Sequence, residues 1–150
     1  MTEFTPIDPD FERRVRASFR RQQVMNTIGA IMTSVAPGQV EIELPFQEYL
    51  TQQNGFLHAG IITTILDSAC GYAALSLMPQ GADVLTVEFK VNLLSPAVGD
   101  HLVAQGRVVR AGRTLTVCAG DVIIASDMHD KPVATMLATM MTIRHNDTGG

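Results

Sequence analysis

The chain has 150 residues, 46% of them hydrophobic and only 17% charged, with a net charge of -4. That length suits one domain, spanning 1–150, with a core just sufficient to fold alone. The acidic balance, with no basic patch interleaved with aromatics, excludes a nucleic-acid binder, and no apolar run reaches the ~20 residues of a membrane span.

A charged content below the usual ~25% points to surface covered in a homo-oligomer. Residues 1–6 lack the basic-then-apolar pattern of a signal peptide. Cys70 and Cys118 stand alone in segments that read as core. They suit buried free thiols of a cytoplasmic protein better than a disulfide or a metal pair.

Asp8 as a cap, Pro9 at the first position and the acids Asp10 and Glu12 predict a helix over about 9–22. Phe11, Val15 and Phe19 share one face. Arg13, Arg14, Arg16, Arg20 and Arg21 cover the rest and read as a solvated face rather than a nucleic-acid or membrane contact. Residues 28–35 read as a strand, turned at Pro37-Gly38 as a type II turn requires. Val40, Ile42 and Leu44 then alternate with Glu41 and Glu43, giving a second strand with one packed and one wet face. Pro45 ends it, and 46–51 forms a loop.

The polar stretch 52–60 feeds an apolar helix. Ile62, Ile65, Leu66, Ala69, Ala73 and Leu77 form its buried stripe, and Thr63, Asp67 and Gly71 form a separate row. After a break at 78–83, four strand patterns follow at 84–94, 102–109, 114–126 and 132–144. In the first, Leu85, Val87, Phe89, Val91 and Leu93 point one way, and Thr86, Glu88, Lys90 and Asn92 the other. Met136, Met140 and Met141 in the last read as core, and 146–150 as a disordered tail. Strands joined by short turns around one apolar helix imply an α+β fold, a curved antiparallel sheet wrapped around a central helix, with an extra N-terminal helix.

A lone acid in so apolar a helix is costly unless it is paired, wet or functional, and Asp67 offers a base or a nucleophile. The preceding loop offers Gln52, Asn54 and His58, together with the N–H groups of Ala59 and Gly60 at a helix start, which suit an oxyanion. His58 and Asp67 are nine steps apart, ~13 Å along a helix axis, and cannot meet within one chain. Either one is incidental, or a second copy completes an acyl-transfer site. His101, His129 and His145 have no spacing that suggests a metal.

The pattern Gln52-x-x-Gly55-x-x-His58-x-Gly60-x(6)-Asp67-x-x-x-Gly71-x-Ala73 resembles the signature of hotdog-fold acyl-CoA thioesterases of the PaaI-like (phenylacetate-pathway) group. The likeness runs over about 11–143 and includes Thr86-Val87-Glu88-Phe89, Asn92 with Ser95-Pro96, and Gly112-Arg113-Thr114. It implies that Asp67 acts as general base or nucleophile and that Gln52 holds the carbonyl or the water. It further implies that the Ala59 N–H polarises the carbonyl and that Thr86 orients water. The site would lie between subunits of a dimer or a dimer of dimers (a homotetramer), with Asp67 from one chain and Gln52, His58 and Ala59 from the other. Gly60 and Asn54 would line it, and Arg110 and Arg113 could grip the phosphates of coenzyme A.

The reaction so implied is hydrolysis of acyl-CoA to free acid and coenzyme A without metal or redox cofactor. The family usually reads His-Gly-Gly where this chain reads His58-Ala59-Gly60. Alanine keeps the N–H but adds a methyl and disfavours a positive φ. A hotdog dehydratase or hydratase would need an acid–base pair in a motif absent here. A non-catalytic acyl-CoA-binding regulator is disfavoured because no DNA-binding segment is found within these residues.

Overall fold

In the computed structural model, which describes residues 3–126 and 128–145, six antiparallel strands form one sheet around one long helix. The elements are α1 (Phe11–Arg21), α2 (Gln23–Ile28), β1 (Ile31–Ala36), β2 (Gln39–Pro45), α3 (Ala59–Leu75), β3 (Ala82–Leu93), β4 (His101–Ala111), β5 (Leu115–Ile124) and β6 (Lys131–Arg144). The sheet order is β1-β2-β4-β5-β6-β3, so β3, which follows α3 directly, ends up on the far edge. α3 buries Ile62, Ile65, Leu66, Ala69 and Ala73 of the stripe expected of it at 3% exposure or less, whereas Leu77 lies past its end and is only partly buried. Val40, Ile42 and Leu44 of β2 face α3 and are buried.

Two glycines let α3 lie so close to the sheet. Gly106 of β4 and Gly120 of β5 are cross-strand partners. A Cβ on Gly106 would stand 2.3 Å from the Ala69 carbonyl carbon, and one on Gly120 would meet Leu66 Cδ1 at 2.8 Å and Cys70 Sγ at 2.9 Å. Cys70 and Cys118 lie at this contact as buried free thiols. Burial pushes the Cys118 thiol up to about 12 and that of Cys70 higher still.

The N-terminal segment departs from expectation in four ways. Asp8 does not cap α1; its Oδ1 accepts the Asp10 N–H at 2.9 Å and its Oδ2 lies 3.0 Å from Arg14 Nε, a charge contact without hydrogen-bond alignment. The expected helix over 9–22 is Phe11–Arg21, and Gln22 is extended (φ -77°, ψ 101°). A second short helix, α2, then fills residues assigned to no element and takes Ile28 from the expected strand, which begins at Ile31. Met25 and Ile28 are buried from it, and Gly29, left-handed at φ 79°, closes it. Arg14 does not belong to a solvated face. Its guanidinium donates to the carbonyls of Leu75, Met78 and Pro79 at 3.3, 2.6 and 3.1 Å, placing a cation at the negative end of α3.

β3 carries a bulge that reverses its faces. Thr86 opposes Met140 but Glu88 opposes Thr139, leaving Val87 as the extra residue. Leu85 therefore shares the outer face with Glu88 and Lys90, whereas Thr86, Phe89, Val91 and Leu93 face inward. Leu85, Val87, Phe89 and Leu93 are nonetheless all exposed. An unpaired edge this long and apolar is surface that a partner would cover.

Candidate active site

Asp67 stands midway along α3, opposite Thr86, the inward residue of β3 just before its bulge. The Thr86 hydroxyl donates to Asp67 Oδ1 at 2.8 Å and reaches Met140 Sδ at 3.4 Å on its other side. Burial raises the Asp67 carboxyl above its usual range, and the Thr86 hydrogen bond offsets this only in part. The pair opens onto a recess of about 130 Å³. Ser18 and Gln22 from the N-terminal segment, Ser68 and Tyr72 from α3, and Asp83 also border it. Sequence reasoning missed these five. Ser68 and Tyr72 carried a signal as polar neighbours of Asp67 on an apolar helix. Gln22 carried none, because its position depends on the break after α1.

The loop before α3 is a closed turn. Gln52 donates its N–H to Phe56 O at 2.8 Å, accepts the Gly55 N–H at 3.0 Å, and takes the Asn54 N–H on its side-chain Oε1. Gly55 makes this possible at φ 82°. The loop is pinned by Leu57 N–H to Ala97 O at 3.1 Å and by His58 N–H to Leu50 O at 3.0 Å. His58 is the N-cap of α3, and its Nδ1 accepts the Gly60 N–H at 2.8 Å. The expectation of two free donors therefore reduces to one. The Gly60 N–H is occupied by His58, whereas the Ala59 N–H has no hydrogen-bond partner among the described residues. No described non-glycine residue has a positive φ, so alanine sits in the first turn of α3 without the backbone strain that a positive φ would impose on it.

Gln52, His58 and Ala59 border a second recess of about 530 Å³, whose apolar walls include Phe56, Ile62 and Leu93. Asn54 is an exposed turn residue outside it. The structure thus gathers Gln52, His58 and Ala59 in one place and Asp67 with Thr86 in another. Arg110 and Arg113 reach neither recess. They are exposed at the end of the sheet where α3 finishes, as the chain of bonds from Val108 through Gly38 to Ser76 shows. Among the described residues no three His, Cys, Asp or Glu side chains are placed to hold a metal ion.

A six-stranded sheet around a long helix, with a half-buried carboxylate and a helix start bearing an unused N–H, has close counterparts among known proteins. The pattern of the thioesterase superfamily matches residues 54–129. A thioesterase family protein from Silicibacter pomeroyi is 51% identical, with a TM-score of 0.87 over 90% of this chain and 99% of that one. Acyl-coenzyme A thioesterase 13 of Homo sapiens is 29% identical, over 85% of this chain and 96% of its own length. The PaaI protein of the E. coli phenylacetic acid degradation operon shares the fold, with a TM-score of 0.80 at 19% identity over 89% of this chain and 94% of that one. Fold and site define a hotdog protein of the thioester-hydrolysing class. The chain belongs to the thioesterase superfamily.

Proposed function

We propose that the protein is an acyl-CoA thioesterase working at a site shared by two copies, with Asp67 of one protomer facing Gln52, His58 and Ala59 of its partner. The observation that carries this reading is the separation of the two half-sites into different recesses. One holds the carboxylate without the free backbone N–H of a helix start; the other holds that N–H without a carboxylate. β3 links them, since Val84 and Thr86 border the Asp67 recess and Leu93 the loop recess. Two copies paired antiparallel along this exposed apolar edge would bring the Leu93 end of one against the Thr86 end of the other.

In such a site the thioester oxygen accepts the Ala59 N–H at the positive end of α3. Asp67, ionised, takes a proton from the water that attacks the carbonyl carbon, or attacks it directly to form an anhydride that water then opens. Either route expels the thiolate and yields free acid and coenzyme A. Gln52 has its Oε1 held by Asn54, so its NH₂ is the group left to steady the carbonyl or the water. Arg110 and Arg113 lie outside both recesses, so a part for them in holding the phosphates of coenzyme A rests on their charge and exposure alone. Water is the only co-reactant, and no metal or redox cofactor takes part. Two buried thiols without a disulfide suit a cytoplasmic enzyme.

Release of free thiol from a panel of acyl-CoAs tests the activity, and Asp67→Asn should lower it by about a hundredfold or more. Turnover by Asp67→Asn at the unmutated rate would sink the mechanism. The shared site has its own test in Ala59→Pro, which removes the N–H at the first helical position, where proline is tolerated. Each variant alone should be inactive. Mixed dimers should regain activity, because one of their two sites carries neither change. Absence of recovery in mixtures shown to exchange subunits would refute sharing.

A further inference from the structure

The recess beside Asp67 has a wall that the hydrolytic mechanism leaves unused. α1 and the extended Gln22 lie across it, opposite α3. The Gln22 side-chain amide donates to Ser68 Oγ at 3.2 Å, and Ser68 Oγ lies 3.4 Å from Gln22 Oε1. One turn earlier, Ser18 Oγ meets the Tyr72 hydroxyl at 3.5 Å, and Phe19 packs edge-on against the Tyr72 ring with centroids 5.8 Å apart. Ser68 directly follows Asp67, so this wall begins one residue from the carboxylate.

The recess is about 130 Å³, against about 530 Å³ for the apolar one at the loop. Its far side is an amide, three hydroxyls and the Asp83 carboxylate. A methylene chain driven against that side would separate these groups from water without replacing their hydrogen bonds. The break after α1 is what closes the space, since Gln22 reaches Ser68 from an extended residue between two helices.

Resting on the reading of Asp67 as the reacting carboxylate, we infer that Gln22 is a specificity-determining residue that ends the acyl site, so that the enzyme takes short acyl groups and rejects long alkyl chains. Measurement of kcat and KM for acetyl-, butanoyl-, octanoyl- and dodecanoyl-CoA tests this in the wild type, Gln22→Ala, Gln22→Ser and Gln22→Met. The wild type should prefer acetyl or butanoyl and lose about tenfold or more in kcat/KM at octanoyl. Gln22→Ala should recover about tenfold on octanoyl, chiefly through KM. Gln22→Ser, which shortens the side chain yet keeps a hydrogen-bonding group, should do the same if the alanine variant proves unstable. Gln22→Met keeps the bulk and should keep the short-chain limit. A wild-type optimum at dodecanoyl, or length profiles unchanged in both shortened variants, would overturn the inference. Asp67→Asn run alongside separates the two readings: a changed expectation of length with turnover still dependent on Asp67 removes only the role of Gln22.

Discussion

Thr86 donates to Asp67 across the gap between β3 and α3 at 2.8 Å, and this is the hydrogen bond the Asp67 carboxylate accepts among the described residues. It favours ionisation, but burial acts more strongly, and the carboxyl sits above its ordinary range. A base or nucleophile must be ionised to act. kcat/KM should therefore rise with pH through this raised value and level off above it. The consequence for stability has the opposite sign to that of a salt-bridged acid. A carboxyl whose folded pKa exceeds its unfolded one costs stability above the folded value and nothing below the unfolded value. Asp67→Asn should melt above the wild type at neutral pH, with the difference closing as pH falls through the carboxylate range. Parallel thermal melts check this, and a variant that melts lower at neutral pH would contradict it.

Thr86→Val should act on the same group from the other side. The substitution keeps the shape of the side chain and removes the only lowering influence identified on Asp67. The acidic limb of the pH–rate profile should move further upward, and turnover above it should fall by about tenfold through lost positioning. Thr86→Ser retains the hydroxyl and should leave the limb in place. A Thr86→Val profile that coincides with the wild type would mean the 2.8 Å bond has no part in setting the ionisation of Asp67.

His58 serves α3 through Nδ1, which caps the Gly60 N–H. Loss of a cap costs about 1 kcal/mol, far less than loss of a general base costs in rate. His58→Asn, with another good capping side chain, should keep both stability and most of the turnover. His58→Ala should melt lower by about that 1 kcal/mol, with the loss in kcat remaining under about tenfold. A loss of a hundredfold or more in the stable Asn variant would return the imidazole to the chemistry.

The strand alternation of Val40 to Leu44 and the buried stripe of α3 were legible because each rests on local periodicity. Thr86 entered only through the family resemblance, as a residue that orients water, and its bond to Asp67 joins residues 19 apart. What was not legible depends on contacts between distant segments. Val87 alternates with its neighbours as any strand residue would, and only the pairing of β3 with β6 makes it the extra residue that turns Phe89 inward. Arg14 looks like its four neighbouring arginines, yet it alone meets the end of α3. Gln22 joins the wall of the Asp67 recess only because α1 breaks there. The strongest missed signal was a pair of strand-interior glycines, Gly106 and Gly120, whose meaning lies in what crosses over them.

Those glycines differ in how much their surroundings can yield. At Gly106 a methyl would meet backbone atoms of Ala69 and Cys70 within 2.6 Å. Relief requires lifting α3 from the sheet, so Gly106→Ala should cost about 3 kcal/mol or more. At Gly120 the two nearest atoms are on the Leu66 and Cys70 side chains, at 2.8 and 2.9 Å, and the one backbone atom among the three nearest, Gln105 O, stands further off at 3.0 Å. The side chains can rotate aside, and Gly120→Ala should cost about 1 to 2 kcal/mol. Chemical denaturation of the two variants tests the order, and equal costs would show that α3 is free to shift.

Arg14 joins the N-terminal segment to the end of α3. Its guanidinium meets three carbonyls there, and its Nε stands 3.0 Å from Asp8, which is only 7% exposed. Removing the cation leaves a buried carboxylate without its counter-charge, and takes a donor from the carbonyl of Leu75, at the end of α3, and from those of Met78 and Pro79 just beyond it. Arg14→Met, which keeps much of the side-chain bulk, should therefore destabilise the protein by about 3 kcal/mol. Arg13→Met removes a surface pair with Asp10 and should be close to neutral. Pairing Arg14→Met with Asp8→Asn should restore part of the loss, because the stranded charge is then gone. Urea melts of the two single variants and the double variant measure the coupling. Strict additivity of Arg14→Met and Asp8→Asn would show that the 3.0 Å contact carries no energy of its own, leaving the capped carbonyls as the whole contribution of Arg14.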